Sequence, residues 1–380
     1  MDFSFSEEQE MIIGGARRFA EKELAPVVEE LDQKGESNVK ALRDLGKLGY
    51  MGMTIPVEYG GSDVGAVAYA GSMLELSKED AGTSVAVSVH NSLANESVLK
   101  FGTESQKKKY LQKLAKGEWI GCFSLSEADA GSDPGSLRLL AEPDGDGFVL
   151  NGTKNFTTSG GFAEVIIVFA QTDKKKASRG ISAFILKNDT SGFTIGKHEN
   201  KMGIRTASCT ELVFNDCHLP AEALLGQENK GLKIALTVLD GGRMGIAAQA
   251  IGIAEAAYEE ALRYSKDRIQ FKKPISGFQA IRFMLADMAT EIEVARTMLY
   301  RVAWMKESGQ KKLTKEAAML KLYASEMAHR VCHQALQIHG GYGYMKDYKV
   351  ERLYRDQRIT EIYEGTSQIQ KYVISREIID

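Results

Sequence analysis

Cysteine is scarce in this 380-residue sequence, and what is missing sets the first limits on function. The four cysteines, at positions 122, 209, 217 and 332, are scattered and form no CxxC pair. That density is too low for a disulfide framework, so we interpret them as small core residues in a reducing compartment. The cytoplasm is therefore the expected location.

The sequence also lacks the segments that carry a chain into or across a membrane. No stretch approaches the ~20 apolar residues of a membrane-spanning helix. The first residues, MDFSFSEEQEMI, are acidic and resemble neither a secretory signal nor an Arg-rich transit peptide. We expect a protein without a membrane span.

An excess of charge of one sign is missing as well. The formal net charge is −3 and the isoelectric point is about 6.2, so nucleic acid is not expected as a main ligand. The densest cationic run, Lys174 to Lys176, is interpreted as a solvated hairpin tip. Neither a phosphate-binding P-loop nor a GxGxxG dinucleotide motif occurs.

The spacing of the apolar residues divides the chain into three segments. Residues 1–118 and 226–380 carry apolar residues at the three- and four-residue intervals of helices. Residues 119–225 instead contain short apolar runs bounded by Gly, Asp and Asn, which are strand signals. We predict an α+β, mainly α, fold with an N-terminal helical domain, a middle β-domain of sandwich or barrel type, and a C-terminal four-helix bundle.

The same patterns predict individual elements. Ser6 is the N-cap candidate of the first helix, and a leucine stripe at 42, 45 and 48 marks a second helix. The predicted strands are FVLNG, VIIVFA, ISAFIL and ELVFND. Two long helices are predicted from Ile281 to Val302 and from Leu320 to Ile338, and the small residues of GRMGIAAQAIGIAEAAYEEAL predict a third that packs closely.

Three further segments carry residues that packing alone does not explain. SLSEADAGSDPGS (124–136) is a loop whose backbone N–H groups and hydroxyls can close around phosphates or a flavin edge. QIHGGYGYMKDYKVERLYRD (337–356) interrupts a helix with glycines, which permits close approach of a ligand and offers N–H groups to anions. RITEIYEGTSQIQ (358–370) places Glu364 between two apolar stretches.

Glu364 is the candidate catalytic residue of the third segment. Ile362 and Tyr363 frame it, and a carboxylate in an apolar pocket has a raised pKa that suits a general base. Taken alone, the same residues also describe an ordinary glutamate at a helix end.

The three segments together resemble the acyl-CoA dehydrogenase family, along essentially the whole chain. LSEADAGSD is similar to the first signature of the family, QIHGGYGYMKDYKVERLYRD to the second, and IYEGTSQIQ to its catalytic segment. LDGGRMGIAAQAIGIAEAA and YSKDRIQFKKPI also resemble the family, in particular its short-chain, butyryl-CoA branch. The family has a helical domain, a β-domain and a four-helix bundle, the same order that the periodicities predict.

The resemblance implies a role for each matching residue. The cofactor is FAD, and the residues lining the flavin or completing its site are Phe123, Leu125, Ser126, Gly131, Ser132, Phe156, Thr157, Thr158, Thr366, Ser367 and Gln368. The residues implied to hold its diphosphate and adenine from a neighbouring subunit are Arg268, Phe271, Gln279, Gln337, Ile338, His339, Gly340 and Gly341. The implied acyl-CoA contacts are Ser132, Asp240, Arg243, Tyr363 and Gly365. An oligomer, a homotetramer built as a dimer of dimers, follows from the shared cofactor site.

The reaction implied by the resemblance is α,β-dehydrogenation of an acyl-CoA to the trans-2-enoyl-CoA. Glu364 takes the α-proton, the β-hydride passes to flavin N5, and an electron-transferring flavoprotein receives the electrons. The same chemistry run in reverse makes an enoyl-CoA reductase. An oxygen-using acyl-CoA oxidase is disfavoured by the chain length, and a silent binding module by the presence of Glu364.

Two departures refine the branch. Some family members carry the base in the LDGGR region, where this chain has Gly242, so Glu364 is the base expected here. The segment SVAVSVHNSLANES has no Arg for a second carboxylate, which disfavours a glutaryl-CoA type of substrate, and Val89 to Leu93 resembles the short-chain branch. His329 and His333 have a spacing that can bind a metal, but with no Glu or Cys partner nearby we predict no metal site.

Overall fold

A computed structural model describes residues 4–310 and 312–379. The first segment is helical, as predicted. Ser6 caps the first helix: its Oγ accepts from the Gln9 N–H at 3.2 Å, and Gln9 Oε1 accepts from the Ser6 N–H at 3.0 Å. The helices of this segment are α1 Glu7–Phe19, α2 Val28–Lys34, α3 Val39–Lys47, α4 Gly65–Glu79, α5 Ala81–Val89, α6 Glu96–Phe101 and α7 Glu104–Ala115.

The leucine stripe lies on α3 only in part. Leu42 and Leu45 are buried in the core, whereas Leu48 follows the end of the helix and is 60% exposed. The three-residue spacing therefore predicted the helix correctly but ran one residue too far.

The middle segment forms one connected, mainly antiparallel sheet, which includes the four predicted strands. Strand order is β6-β7-β3-β2-β4-β5-β8, and β1 pairs in parallel with β4. The alternation of buried and less buried residues along β7 shows one face packed against a core, whereas β4 is buried throughout. The strands are β1 Gly121–Ser124, β2 Leu140–Asp144, β3 Gly147–Thr158, β4 Val165–Gln171, β5 Ile181–Lys187, β6 Phe193–His198, β7 Cys209–Leu219 and β8 Leu224–Leu225.

The third segment is dominated by long helices that follow the predicted stripes. The helix rich in Gly and Ala packs against α4, where a Cβ at Gly252 would collide with the Leu74 carbonyl. A two-stranded ribbon precedes the second long helix. The elements are α8 Gly231–Asp267, β9 Ile269–Gln270, β10 Lys273–Pro274, α9 Gln279–Glu307, α10 Thr314–His339, α11 Lys349–Gln357 and α12 Ser367–Ile379.

These elements give the three-part, mainly helical architecture that the sequence predicts. Long helices α8, α9 and α10 pack on one another and α12 packs on α10, while the sheet has a hydrophobic core of its own. The proposed domain boundaries at 118 and 225 fall between α7 and β1 and between β8 and α8. No helix among the described residues is long and apolar enough to cross a membrane.

Candidate active site

All three segments contribute to one large cavity, of about 2030 Å³. A site for one drug-sized ligand typically measures about 300–1,000 Å³, so this cavity has room for more than one such molecule. Its apolar wall combines the first helical segment with the bundle and comprises Val85, Val89, Leu93, Met244 and Val302. The predicted base, all of the predicted substrate residues and eight of the nineteen predicted cofactor residues line the same cavity.

Glu364 lies in the tight turn that precedes α12. Both Glu364 (φ 55°) and Gly365 (φ 91°) adopt left-handed backbone conformations, which are costly for a residue other than glycine. The buried Gln370 side chain donates to the carbonyls of Glu364 (3.0 Å) and Gly365 (2.9 Å). Lys321 from α10 donates to the Gly365 carbonyl at 2.7 Å. These three hydrogen bonds hold the turn that carries the base.

The Glu364 carboxylate is poorly solvated. The residue is half-buried because it faces the cavity, but its Oε2 atom is buried and has no hydrogen-bond partner among the described residues. This burial raises the pKa of Glu364 to about 7, although the positive charges of Arg243 and Lys321 oppose the rise. A carboxyl group with a pKa near neutrality is suited to accept a proton under physiological conditions.

Gly242 on α8 is in direct contact with this carboxylate. A Cβ at position 242 would lie 2.6 Å from Glu364 Oε2 and 2.9 Å from its Cδ. The space beside α8 is thus filled by Glu364, and a side chain at position 242 would have to displace it.

Arg243 and Asp240 form a polar unit at the cavity wall next to the base. Arg243 donates to Asp240 Oδ1 at 2.6 Å, and the Thr314 hydroxyl donates to Asp240 Oδ2 at 2.7 Å. Arg243 is buried, and its Nε has no acceptor among the described residues. The unsatisfied donor makes Arg243 suited to a polar or anionic group of a ligand.

A second wall of the cavity has the composition of a flavin site. Phe156 is 62% exposed into the open space despite its aromatic ring and has a left-handed φ of 57°. A Cβ built at Gly131 would meet nothing within 4 Å, so the loop leaves room for a ligand. Aromatic faces beside hydroxyl donors match a planar ring with polar edges. The residues on this wall are Phe123, Leu125, Ser126, Gly131, Ser132, Phe156, Thr158 and Thr366.

Three other predicted cofactor residues do not line the cavity. Thr157 is buried behind the wall, where its hydroxyl and that of Ser124 are 2.7 Å apart. Ser367 is buried at the start of α12, with an Oγ that has no partner within the described part of the chain. Gln368 is exposed on the first turn of α12.

A buried ion pair supports the loop that begins the flavin wall. The Lys154 ammonium is fully buried and donates to Glu127 Oε1 at 2.8 Å and to the Leu125 carbonyl at 2.9 Å. Glu127 also accepts from the backbone N–H groups of Arg138 (2.6 Å) and Leu139 (2.9 Å). Each charge is therefore paired and hydrogen-bonded, as burial requires.

The residues predicted to hold the diphosphate and adenine lie elsewhere on the chain. Arg268, Ile338, His339, Gly340 and Gly341 line a second, open pocket of about 570 Å³, in which the Arg268 guanidinium lies 5.4 Å from the Tyr342 ring centroid. Gly242 and Tyr264 are 22 residues apart on α8, which corresponds to about 33 Å at 1.5 Å per residue. Phe271, Gln279 and Gln337 line neither pocket and are exposed.

Sequence comparison places this geometry among known proteins. Three sequence profiles match in order along the chain: acyl-CoA dehydrogenase N-terminal domain at residues 6–118, middle domain at 122–217 and C-terminal domain at 229–379. The short-chain specific acyl-CoA dehydrogenase of Clostridium acetobutylicum is 47% identical over 378 residues, with both chains covered completely. The chain belongs to the acyl-CoA dehydrogenase family.

Similar proteins are named for different activities. The acryloyl-CoA reductase (NADH) of Anaerotignum propionicum is 48% identical over 381 residues, covering 100% of this chain and 96% of the relative. Among solved structures, butyryl-CoA dehydrogenase from Megasphaera elsdenii superimposes with a TM-score of 0.98 at 46% identity, with both chains covered completely. A structure described for the electron transferring flavoprotein of Acidaminococcus fermentans has a chain with the same score at 47% identity and full coverage.

FAD is the cofactor of this acyl-CoA dehydrogenase. Members of the family are FAD flavoproteins, and solved structures with this fold contain FAD or FADH2. The exposed Phe156 ring, the open space at Gly131 and the hydroxyl groups beside them fit the isoalloxazine ring. Phe156 and Thr158 would hold that ring, and the loop from Phe123 to Ser132 would cover its edge.

Two pairs of residues in the site were not predicted from the sequence. Lys321 and Gln370 hold the turn of the base, and Lys154 with Glu127 supports the flavin loop. For Lys321 a signal is present, because it lies on the buried face of α10 with Ala317, Ala324 and Ala328 at helical spacing. A lysine in an otherwise apolar stripe indicates a buried charge with a partner. Gln370 offers no such signal within the EGTSQIQ motif.

Proposed function

We propose that this protein dehydrogenates a short-chain acyl-CoA to the trans-2-enoyl-CoA, with Glu364 as the base that removes the α-proton. The observation that carries the proposal is that Glu364 lines the cavity while its buried Oε2 atom has no hydrogen-bond partner among the described residues. The pKa near 7 keeps this carboxylate basic enough to take a weakly acidic proton. Bound FAD supplies the acceptor for the β-hydride.

The protein's own contribution is orientation and charge stabilisation. The left-handed turn at Glu364 and Gly365 directs the carboxylate toward the cavity, and the Glu364 backbone N–H is a donor for the thioester carbonyl. A donor placed at a developing oxyanion typically contributes about 3–4 kcal/mol to lowering the barrier. Arg243, with its unsatisfied Nε, binds a polar group of the CoA thioester.

A short acyl chain fits the apolar wall and the relatives. Val85, Val89 and Leu93 bring branched side chains into the cavity, and the stretch SVAVSVHNSLANES that carries them contains no arginine to bind a second carboxylate. The named substrates of similar proteins, butyryl-CoA and acryloyl-CoA, are short. The reductase from Anaerotignum propionicum favours one alternative, enoyl-CoA reduction by the same residues run in reverse.

The proposed electron partner is an electron-transferring flavoprotein. Its support is the family resemblance together with the similar chain in the structure of the Acidaminococcus fermentans flavoprotein. An oxidase would instead produce peroxide, so oxygen consumption during turnover distinguishes the two. A cytoplasmic location is proposed because all four cysteines are free thiols, three of them fully buried.

An oligomer is proposed because the two sets of predicted cofactor residues are far apart on one chain. About 33 Å of α8 separates the contact with Glu364 from the second pocket. A single FAD is too short to use both sets on the same subunit. Two exposed aromatic side chains, Phe271 (88%) and Tyr344 (80%), adjoin in sequence the lining residues Gln270 and Met345 of the second pocket. A neighbouring subunit, in a homotetramer built as a dimer of dimers, would cover these side chains, and the second pocket would receive the diphosphate of the FAD bound to that subunit.

The test is anaerobic reduction of the purified yellow holoenzyme by acyl-CoA thioesters of four to sixteen carbons. Butyryl-CoA is expected to bleach the flavin fastest. Glu364→Gln should retain FAD and still bind butyryl-CoA, but its flavin should stay oxidised. Glu58→Gln, at an exposed position that does not line the cavity, is the control and should bleach normally. Full bleaching of the Glu364→Gln flavin would contradict the proposal.

A further inference from the structure

A buried ammonium group lies directly behind the turn of the base. Lys321 on α10 is fully buried, between Ala317 and Ala324 on the inner face of the helix. Its Nζ donates to the Gly365 carbonyl at 2.7 Å, and no carboxylate of the described residues lies within ion-pair distance. An unpaired buried ammonium is costly and requires compensation from its surroundings.

The carbonyl that Lys321 binds belongs to the residue next to the base. Glu364 and Gly365 are both left-handed, so their peptide groups depend on outside partners to keep this conformation. Gln370 supplies two of these bonds from α12, and Lys321 supplies the third from α10. Two helices thus fix the turn from different sides.

We propose that Lys321 is a positioning residue for Glu364: it holds the turn through the Gly365 carbonyl and supplies a buried positive charge that favours the ionised carboxylate. The role rests on the proposed function, because it matters only if Glu364 is the base. Gln370 shares the first task but, being neutral, contributes nothing to the second.

Four groups face Glu364 from the elements packed around it. Arg243 comes from α8, Lys321 from α10, Tyr69 from α4, and Tyr363 from the turn itself. Arg243 pairs with Asp240, although its charge, like that of Lys321, lowers the pKa of Glu364. Lys321 has a neutral carbonyl as its partner, so its charge remains available to Glu364.

The two buried charges support each other. Burial lowers the pKa of Lys321 to about 8, and the negative charge of Glu364 opposes that fall. Burial raises the pKa of Glu364 to about 7, and the charge of Lys321 opposes that rise. Between these values the ammonium and the carboxylate are both charged. The more distant acids that act on Lys321 are Glu361 and Glu326.

The experiment compares three variants by the rate of flavin bleaching with butyryl-CoA between pH 6 and pH 9, in anaerobic stopped flow on the holoenzyme. Lys321→Met removes the charge and the donor, Lys321→Gln removes the charge but keeps a donor, and Gln370→Met removes neutral donors only. Loss of an opposite charge at close range typically moves a pKa by about 1–3 units. The acid limb of the rate profile is the pH range over which the bleaching rate rises as Glu364 loses its proton. It should therefore move to higher pH by about one unit or more in both Lys321 variants. It should stay in place in Gln370→Met, although that variant is slower.

Each outcome decides the question. The charge role is refuted if the acid limb of the rate profile stays at its wild-type pH in either Lys321 variant with FAD bound. If Lys321→Met does not retain FAD, Lys321→Gln alone decides. A limb that moves equally in Gln370→Met overturns it too, since movement of the turn would then explain the shift. A wild-type enzyme that no acyl-CoA bleaches refutes the proposed function and the role of Lys321 with it. Wild-type bleaching with unmoved limbs refutes the Lys321 role only.

Discussion

Replacing Glu364 by Gln should stabilise the folded protein, and the gain should grow with pH. Unfolded Glu364 titrates near its ordinary pKa of 4.5, whereas burial raises the pKa in the folded protein to about 7. The folded state therefore binds the proton more tightly than the unfolded state. Stability contributed by this residue is greatest when the carboxyl is protonated and falls as pH rises from about 4.5 to about 7.

The magnitude follows from the two pKa values. A difference of about 2.5 units at 1.36 kcal/mol per unit makes the burial of the charged carboxylate cost about 3 kcal/mol at pH 7.5. At pH 5 much of the unfolded population is already ionised and the folded carboxyl is neutral, so the cost is about 1 kcal/mol. Gln is neutral at both values, and any fixed cost of its amide cancels between them. The advantage of Glu364→Gln over the wild type should thus increase by about 2 kcal/mol from pH 5 to pH 7.5.

The assay is urea unfolding of wild-type and variant holoenzyme at pH 5 and pH 7.5, at one fixed protein and FAD concentration. Fixed concentrations are needed because cofactor and subunit binding both shift the apparent stability. Glu58→Gln, at an exposed position, is the control and should give the same difference from wild type at both pH values. An equal advantage of Glu364→Gln at pH 5 and pH 7.5 would show that the carboxylate is not desolvated as described.

Two further changes test the geometry of the site. Gly242→Ala places a Cβ 2.6 Å from Glu364 Oε2, so it should displace the carboxylate and slow flavin bleaching while FAD stays bound. A loss of about 1.4 kcal/mol in transition-state stabilisation corresponds to a roughly tenfold lower rate. An unchanged rate would show that the contact is dispensable. Arg268→Ala should lose FAD and dissociate the oligomer, because Arg268 lies in the pocket proposed to receive the FAD diphosphate of a neighbouring subunit. The flavin-to-protein absorbance ratio measures the first effect and light scattering the second. Unchanged flavin content would refute this role of Arg268.

Much of the fold could be predicted from local patterns because those patterns reflect burial. The stripe from Ile281 to Val302 lies within α9, and the short apolar runs of the middle segment lie in β3, β4, β5 and β7. Helix ends were less accurate, as Leu48 shows, because the end of a helix depends on capping and on the following turn rather than on periodicity alone. The pairing of β1 with β4 could not be predicted, since parallel pairing across 40 residues leaves no local trace.

The site could be predicted residue by residue only through the family resemblance. Composition leaves Glu364 indistinguishable from an ordinary glutamate at a helix end. The features that decide its chemistry are the buried Oε2, the contact with Gly242 and the charges of Arg243 and Lys321, and all of these come from distant parts of the chain. The family motifs cover Arg243, but Lys321 lies outside them and is found only when α10 and the turn are seen together.

The contact between Gly242 and Glu364 explains why a base at position 242 and a base at position 364 are alternatives that exclude each other. A Cβ at 242 would lie 2.6 Å from Glu364 Oε2, so one small region of the cavity can be reached from α8 or from the turn before α12, but not filled by both. A base supplied from α8 would need a small residue in the turn, and a base supplied from the turn needs a small residue on α8. The thioester determines where the carboxylate must lie, and the chain has two ways to place it there. We propose that in this protein the turn does so, and hydrogen bonds from Lys321 and Gln370 hold it in a conformation that a glutamate rarely adopts.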